Sequence, residues 1–199
     1  NGHVPHVAAA DVGPGLTPEE IGRHLGHIAE VVVGQALTLA HDDLVLKHGR
    51  PSLLQNGETL TPGFAVIAYG KLGSLELGYT SDLDIIFLHG AQQEGGVTDG
   101  ARPIANEVFF ARLGQRLIHI LTARTGGGIL YEVDTRLRPS GRSGLLVTNP
   151  AAFREYQEAH AWAWEHQALI RARPIAGDAG LAREFEDIRA ATLCRARDP

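Results

Sequence analysis

The amino-acid sequence predicts a mixed α/β domain in which a small sheet is flanked by helices. Two continuous apolar runs, 64–69 and 83–88, are typical of strands that are buried on both faces. Stretches with apolar residues at helical spacing precede, separate and follow the predicted strands. The resulting order is helix, strand, strand, helix, strand, helix. This order favours one small sheet with helices packed against it.

A long helix is predicted before the first strand. Thr17 can cap its N-terminus, Pro18 suits the first turn, and Glu20 completes a capping box with Thr17. Apolar residues then recur at helical spacing as far as about His48, and Gly49 follows. The sequence therefore sets both ends of this helix.

The later elements are predicted in the same way. A second long helical pattern covers 103–124 and is stopped by the three glycines at 126–128. A third strand is predicted over 129–137. A helix rich in aromatic residues opens at Asn149, and a last amphipathic helix covers 181–197.

These elements suggest three regions. Residues 1–60 hold a lead-in without periodicity, at 1–16, and the long helix. Residues 61–148 form the predicted core. Residues 149–199 are interpreted as the truncated start of a C-terminal helical domain, because the chain ends within a helical pattern.

Composition limits the possible functions. The 199 residues suffice for one sizeable domain, and a net charge of −5 argues against a general nucleic-acid binder. No apolar run approaches the roughly 18 residues that span a bilayer, so no membrane association is expected. The N-terminus does not resemble a signal peptide, although a lost signal stays open because the chain does not begin with Met. The single cysteine, Cys194, suits a reducing cytoplasm.

Two carboxylates are predicted to project together at the start of the second strand. Asp82 and Asp84 are two residues apart, and strand residues at that spacing share a face. Such carboxylates repel each other unless a cation lies between them, and Mg²⁺ binds one or two carboxylates together with phosphate oxygens. Upstream glycines in 70–74 (GKLGS) would let backbone N–H groups approach a phosphate. The pattern indicates a metal–nucleotide site.

A third carboxylate, Asp134, is predicted on the polar face of the later strand. Alternation places it with Glu132, Arg136 and Arg138. An acidic residue beside two arginines suits a second metal and a triphosphate, because guanidinium groups match phosphate oxygens. Each feature alone has an ordinary explanation: an Asp-x-Asp pattern is common on solvated strand edges, and the arginines could pair with the neighbouring acids.

Together these features resemble the pattern of the polymerase-beta-like nucleotidyltransferase superfamily, in which two metals assist an in-line phosphoryl displacement. Three segments further resemble the glutamine synthetase adenylyltransferase family: 68–84 (AYGKLGSLELGYTSDLD), 131–141 (YEVDTRLRPSG) and 164–173 (WEHQALIRAR). The resemblance covers roughly residues 20–190. It is stronger to the C-terminal domain of that family, which attaches AMP, than to the domain that removes it. Ser74 departs from the family pattern, where a second glycine is usual.

The resemblance implies transfer of AMP from ATP to a tyrosine of glutamine synthetase, with Mg²⁺ or Mn²⁺ as the metal. It also implies a nitrogen-signalling PII protein as regulator. Asp82, Asp84 and Asp134 would be the catalytic metal ligands. The residues expected to bind the nucleotide are Gly70, Lys71, Gly73, Ser74, Ser81, Arg136 and Arg138.

Two alternatives stay open. The same site could remove AMP with phosphate as the nucleophile, or the chain could be a non-catalytic regulatory or docking module. The intact Asp82, Asp84 and Asp134 argue against the second alternative. Lys71 could equally be a solvated lysine in a turn.

The remaining residues of the third segment have ordinary interpretations. Trp162 and Trp164 are expected in the core or at a domain contact. Residues 165–166 are expected on a helix surface, with a position lining the cleft as the alternative. Arg171 and Arg173 are expected either to add positive potential near the triphosphate or to form an interdomain salt bridge.

Overall fold

The structure is a computed structural model that describes residues 15–55, 57–91, 96–125 and 128–195. Most of the predicted lead-in and the last residues of the predicted final helix lie outside these ranges. No helix within them is long and apolar enough to cross a membrane.

The predicted mixed α/β architecture is confirmed. The helices are α1 (Pro18–His48), the short α2 (Gly70–Gly73), α3 (Asn106–Thr122), α4 (Pro150–Ala159), α5 (Ala163–Leu169) and α6 (Ala179–Cys194). The strands are β1 (Leu53–Gln55), β2 (Glu58–Leu60), β3 (Phe64–Ala68), β4 (Leu83–His89), β5 (Arg124–Thr125), β6 (Gly128–Ile129), β7 (Val133–Asp134), β8 (Val147–Thr148) and β9 (Arg173–Gly177).

The start and end of α1 follow the predicted signals. The Glu20 N–H donates to the Thr17 hydroxyl (3.2 Å), and the Thr17 N–H donates to the Glu20 carboxylate (2.7 Å), which completes the capping box. Gly49 follows the last turn with φ +82°, and its N–H donates to the carbonyl of Val45 (2.8 Å).

One mixed sheet forms the centre of the molecule. Its strand order is β7-β4-β3-β9. Strand β8 also pairs with β4, at residues that follow those paired with β7. Strands β3 and β4 are antiparallel, with Val66 opposite Phe87, and β9 is antiparallel to β3. Strands β7 and β8 run parallel to β4, and β7 places Asp134 opposite Asp84.

Helices cover both faces of this sheet, so the molecule has three layers. On one face, residues such as Val66, Ile85 and Phe87 pack against α1 and α3. On the other face, Ile67 and Ile86 pack against residues of α4, α5 and α6. All five residues of β3 are buried, which confirms the prediction of a strand covered on both sides.

Two features of the sheet differ from the expectations. The third strand, predicted over 129–137, is reduced to β7, because the chain turns directly after Asp134, while β6 pairs with β5 in a separate hairpin. Strand β9 was not predicted. The segment after residue 148 therefore adds an edge strand to the central sheet and helices that pack against it. The predicted division into domains stays a prediction.

Candidate active site

Three acidic side chains meet at one end of the central sheet. Asp82 directly precedes β4, Asp84 is its second residue, and Asp134 ends β7. Because β4 and β7 are parallel and in register, Asp134 lies beside Asp84. One carboxylate oxygen from each of the three residues lies within 4.8 Å of the others. The predicted convergence of these carboxylates is confirmed.

The cluster places three carboxylates close together, with Asp82 exposed and Asp84 and Asp134 partly buried. Asp84 is half-buried, and its pKa is raised first by burial and then by the charges of Asp82 and Asp134. Arg136 and Lys71 oppose this shift. Asp82 and Asp134 thus destabilise the charge of Asp84, and a hard divalent cation would neutralise such a set of carboxylates. The residues present therefore fit a divalent metal.

Arg136 folds back onto Asp134. Its backbone N–H donates to Oδ1 of Asp134 (2.8 Å), its Nε donates to Oδ2 (2.6 Å), and its terminal nitrogen forms an ion pair with the same carboxylate. This side-chain hydrogen bond is the largest cause of the lowered pKa of Asp134. The guanidinium is mostly exposed, so it lies at the rim of the cluster.

The predicted glycine turn, residues 70–74, forms α2 and lies against the cluster. Gly70 has φ +51°, and a Cβ at this residue would overlap the Asp84 carboxylate. Gly73 is equally confined, because a Cβ there would overlap the carbonyl oxygen of Arg171. Only glycine fits at these two positions, so the sequence signal has a steric reason.

The polar side chains of the turn have separate positions. Lys71 is exposed, and its charge acts on Asp84. The Ser74 hydroxyl donates to the carbonyl of Gly70 (3.1 Å) and to the carboxylate of Glu76 (2.8 Å). Ser74, which departs from the family pattern, therefore forms hydrogen bonds within the turn and with the nearby Glu76. Its predicted contact with the nucleotide stays a prediction.

Ser81 closes the tight turn that leads into the first carboxylate. Its hydroxyl accepts from the N–H of Gly78 (3.1 Å), and its own N–H donates to the carbonyl of Gly78 (3.1 Å). The next residue is Asp82, so this turn fixes the position of Asp82 directly before β4. The predicted role of Ser81 in nucleotide binding stays a prediction.

Arg138 lies inside the turn that follows β7. It donates to the carbonyl (2.8 Å) and hydroxyl (2.7 Å) of Thr135 and to the carbonyl oxygens of Arg142 (3.3 Å) and Gly144 (3.4 Å). The expected alternation of Arg136 and Arg138 on one strand face is wrong, because the chain leaves the strand after Asp134. Arg138 holds the turn, and a contact with phosphate stays a prediction.

Glu165 was expected on a helix surface, but only 7% of it is exposed. Its carboxylate accepts from the Tyr156 hydroxyl (2.9 Å) and from the backbone N–H of Trp162 (2.8 Å). Tyr156 also receives a backbone hydrogen bond from Ser140, in the turn after β7. This network links α4 and α5 to the edge of the site. Glu165 is the third residue of α5, a capping position that could have been recognised in the sequence.

Trp162 and Trp164 are not in the core. They are 70% and 55% exposed, respectively. Trp162 precedes α5 as its N-cap, and Trp164 is the second residue of that helix. The core alternative is therefore wrong for both residues, and a contact with another domain stays a prediction.

Comparison with known proteins gives a consistent result. The family model described as "Glutamate-ammonia ligase adenylyltransferase" matches residues 2–188. Proteins named "Bifunctional glutamine synthetase adenylyltransferase/adenylyl-removing enzyme" are similar along nearly the whole chain. The protein from Thioalkalivibrio sulfidiphilus is 56% identical over 194 residues, or 96% of this chain, and that from Nitrosococcus oceani is 53% identical over 193 residues, or 97%.

The relative from Hahella chejuensis is 49% identical over 197 residues, which is 99% of this chain. In all three cases the match spans 20% of the relative, so the chain corresponds to about one fifth of the length of these proteins. The match includes the glycine turn and all three acidic residues of the site. The chain belongs to the glutamate-ammonia ligase adenylyltransferase family.

Proposed function

We propose that this chain transfers AMP from ATP to a tyrosine of glutamine synthetase. The observation that supports the proposal most strongly is the meeting of Asp82, Asp84 and Asp134 beside the glycine turn, in a chain of this family. The activity named for the relatives includes both attachment and removal of the adenylyl group. Attachment is proposed here because the segments 68–84, 131–141 and 164–173 resemble the attaching domain.

The three carboxylates have distinct proposed roles. Asp82 and Asp84 would hold two divalent cations, proposed to be Mg²⁺ or Mn²⁺, and Asp134 would hold the one on the side of the attacking tyrosine. Bound there, the cations would stabilise charge on the phosphates and favour ionisation of the tyrosine hydroxyl. The tyrosine hydroxyl would lose its proton to solvent and its oxygen would bond to the α-phosphorus; the bond from that phosphorus to the bridging oxygen would break, and pyrophosphate would leave.

The residues around the cluster would orient the nucleotide. Backbone N–H groups of the turn at Gly70 and Gly73, with Lys71 nearby, are proposed to face the phosphates. The exposed guanidinium of Arg136 lies at the rim, where it could exchange its contact with Asp134 for a phosphate oxygen. Ser74, Ser81 and Arg138 belong to the turns that surround this site, and they complete the proposed nucleotide-binding set.

Two further parts of the proposal rest on the family resemblance. A PII signalling protein is proposed as regulator of the enzyme that contains this chain. The cytoplasm is proposed as its location, in agreement with the single cysteine, Cys194. Pull-down of a PII protein by the intact enzyme, compared with an unrelated protein of similar charge, tests the first of these.

The transfer assay uses ATP labelled in the α-phosphate, Mg²⁺ and unmodified glutamine synthetase. We expect label on the synthetase with release of pyrophosphate, and no label with Asp84→Asn. A parallel reaction supplies adenylylated synthetase and inorganic phosphate, without ATP. Phosphate-dependent release of AMP groups as ADP, without any attachment, would assign the removing activity instead. Failure to bind ATP with Mg²⁺ in a calorimetric titration would favour the non-catalytic module.

A further inference from the structure

Arg173 lies against the glycine turn and contacts its backbone. It is the first residue of β9 and pairs with Ala68, the last residue of β3. Its Nε donates to the carbonyl of Gly73 (2.9 Å), and a terminal nitrogen donates to that of Leu72 (3.2 Å). Carbonyl groups at the end of a helix lack partners within the helix. Arg173 therefore supplies partners to the end of α2.

Glu30 holds Arg173 in this position. The Glu30 carboxylate, from the middle of α1, forms an ion pair with the same terminal nitrogen of Arg173. The side chains of Glu30 and Arg173 are only 23% and 27% exposed. A pair so shielded from water is screened less than a surface pair, and loss of either partner leaves the other in a poorly solvated position.

Close packing restricts the turn further. A Cβ on Gly22 of α1 would lie 3.2 Å from the backbone of Glu76, and Gly26 packs against the side chain of Leu75. Leu75 has φ +62°, which is costly for a leucine and persists only where the surroundings enforce it. The turn is therefore held by α1 on one side and by the start of β9 on another.

We propose that Arg173 is a positioning residue that, fixed by Glu30, holds the glycine turn in place against Asp84. The Nε and one terminal nitrogen of Arg173 are taken up by Glu30 and two carbonyl oxygens, and the expected contribution of Arg173 to the positive potential near the triphosphate stays a prediction. Its effect on ATP rests on the proposed function, whereas its effect on the turn does not.

Hydrogen exchange of the intact protein tests the effect on the turn. The reporting amides are those of Gly73, Ser74 and Glu76, which donate to the carbonyls of Tyr69, Gly70 and Lys71, respectively. In Arg173→Gln we expect these amides to exchange about tenfold faster, because local opening no longer breaks the arginine contacts. Glu30→Gln should show the same pattern with a smaller effect, because a neutral amide still accepts a hydrogen bond.

Arg116→Gln is the matched control. Arg116 also binds a carboxylate of α1, Asp43, through Nε (3.2 Å) and a terminal nitrogen (2.7 Å), but it lies on α3 and does not contact the turn. Exchange at residues 73–76 should not change in this variant. Equal hydrogen-exchange rates at residues 73–76 in Arg173→Gln and Arg116→Gln would overturn the inference. If Arg173→Gln does not fold, the comparison of Glu30→Gln with Arg116→Gln decides in the same way.

Kinetics test the consequence for ATP. We expect Arg173→Gln to raise the KM for ATP about tenfold and to change kcat only a few-fold, because the carboxylate cluster is left intact. Arg173→Lys keeps the charge beside Glu30 and should restore part of the affinity. An unchanged KM together with faster exchange would overturn the link to ATP. If the unsubstituted enzyme transfers no AMP, the proposed function fails, and hydrogen exchange still decides the positioning role.

Discussion

Gly70 and Asp84 lie in direct contact, so that a Cβ on residue 70 would overlap Oδ2 of the Asp84 carboxylate. The contact joins the predicted phosphate-binding turn to the predicted metal site. The left-handed backbone of Gly70, with φ +51°, further favours glycine. The glycine turn and the Asp82–Asp84 motif are thus packed against each other, and a side chain on residue 70 would displace the Asp84 carboxylate.

Gly70→Ala should therefore abolish most metal-dependent ATP binding. The methyl group would push the Asp84 carboxylate away from Asp82 and Asp134. Gly57→Ala is the control, because Gly57 also has a positive φ (+84°) but no atom lies within 4 Å of a Cβ there. Both variants should lose about 1 kcal/mol of stability from backbone strain. Calorimetric ATP–Mg²⁺ titration should show at least about tenfold weaker binding for Gly70→Ala alone; equal affinity in the two variants would contradict the steric argument.

Substitution of the three carboxylates should separate binding from chemistry. Asp82→Asn and Asp84→Asn replace a charged metal ligand by a neutral amide of similar volume, so both nucleotide binding and transfer should weaken. Asp134→Asn should leave ATP–Mg²⁺ binding largely intact and slow transfer by about a hundredfold, the size typical for loss of one group that stabilises the transition state.

Titration and transfer assays on all three variants make the comparison. Arg136→Gln removes the same side-chain contact but keeps the Asp134 carboxylate, so a loss of transfer confined to Asp134→Asn is assigned to the carboxylate; any loss of ATP affinity in Arg136→Gln reports its own proposed phosphate contact. Equal loss of ATP binding in all three carboxylate variants would contradict the division of roles, and unchanged transfer in all three would refute the catalytic assignment.

The acidic cluster should cost stability when no divalent cation is present. The pKa of Asp84 is raised by burial and by Asp82 and Asp134, so at neutral pH its ionised form favours the unfolded chain. In EDTA we expect Asp84→Asn to raise Tm by roughly 2–4 °C, the shift that about 1 kcal/mol gives in a chain of this size. Asp42→Asn, at an exposed position, should not raise it. A lower Tm for Asp84→Asn in EDTA would show that repulsion is not the dominant effect.

His89 should make the fold sensitive to acid. It lies at the opposite end of β4 from Asp84, stacks on Phe110, and accepts a hydrogen bond from the N–H of Ala91 through Nδ1 (3.1 Å). Burial lowers its pKa below the ordinary value of 6.5, while Glu107 opposes the shift. Below about pH 6.5 the unfolded chain gains the proton first, so stability falls with pH until the lowered pKa is reached.

The measurement is urea unfolding between about pH 5 and 7, where one such group contributes a slope of at most about 1.4 kcal/mol per pH unit. His89→Asn keeps an acceptor for Ala91 and cannot titrate, so the slope should become smaller. His24→Asn, at an exposed position, is the control. The same slope in wild type and His89→Asn would exclude this histidine as the cause.

Local rules in the sequence were sufficient for much of the fold and for part of the site. The capping box at Thr17 predicted the start of α1, because it depends on residues three apart. The apolar runs predicted β3 and β4. The spacing of Asp82 and Asp84 predicted that their side chains point the same way, because successive side chains of a strand point to opposite faces. In each case the structure is set by neighbours along the chain.

Other features were decided only by contacts between distant segments. Asp134 lies beside Asp84 because β7 pairs with β4 in parallel, 50 residues further along the chain. Arg173 reaches the turn across a separation of 100 residues, from a strand whose charged and proline-containing sequence does not resemble a buried strand. Glu165 is buried because the hydroxyl of Tyr156 offsets the cost of removing its carboxylate from water. The sequence by itself determined α1, β3 and β4 and the common direction of Asp82 and Asp84; the residues proposed to carry the chemistry stay a prediction. The tertiary structure decided which of them meet, because strand pairing and burial depend on partners that local patterns do not specify.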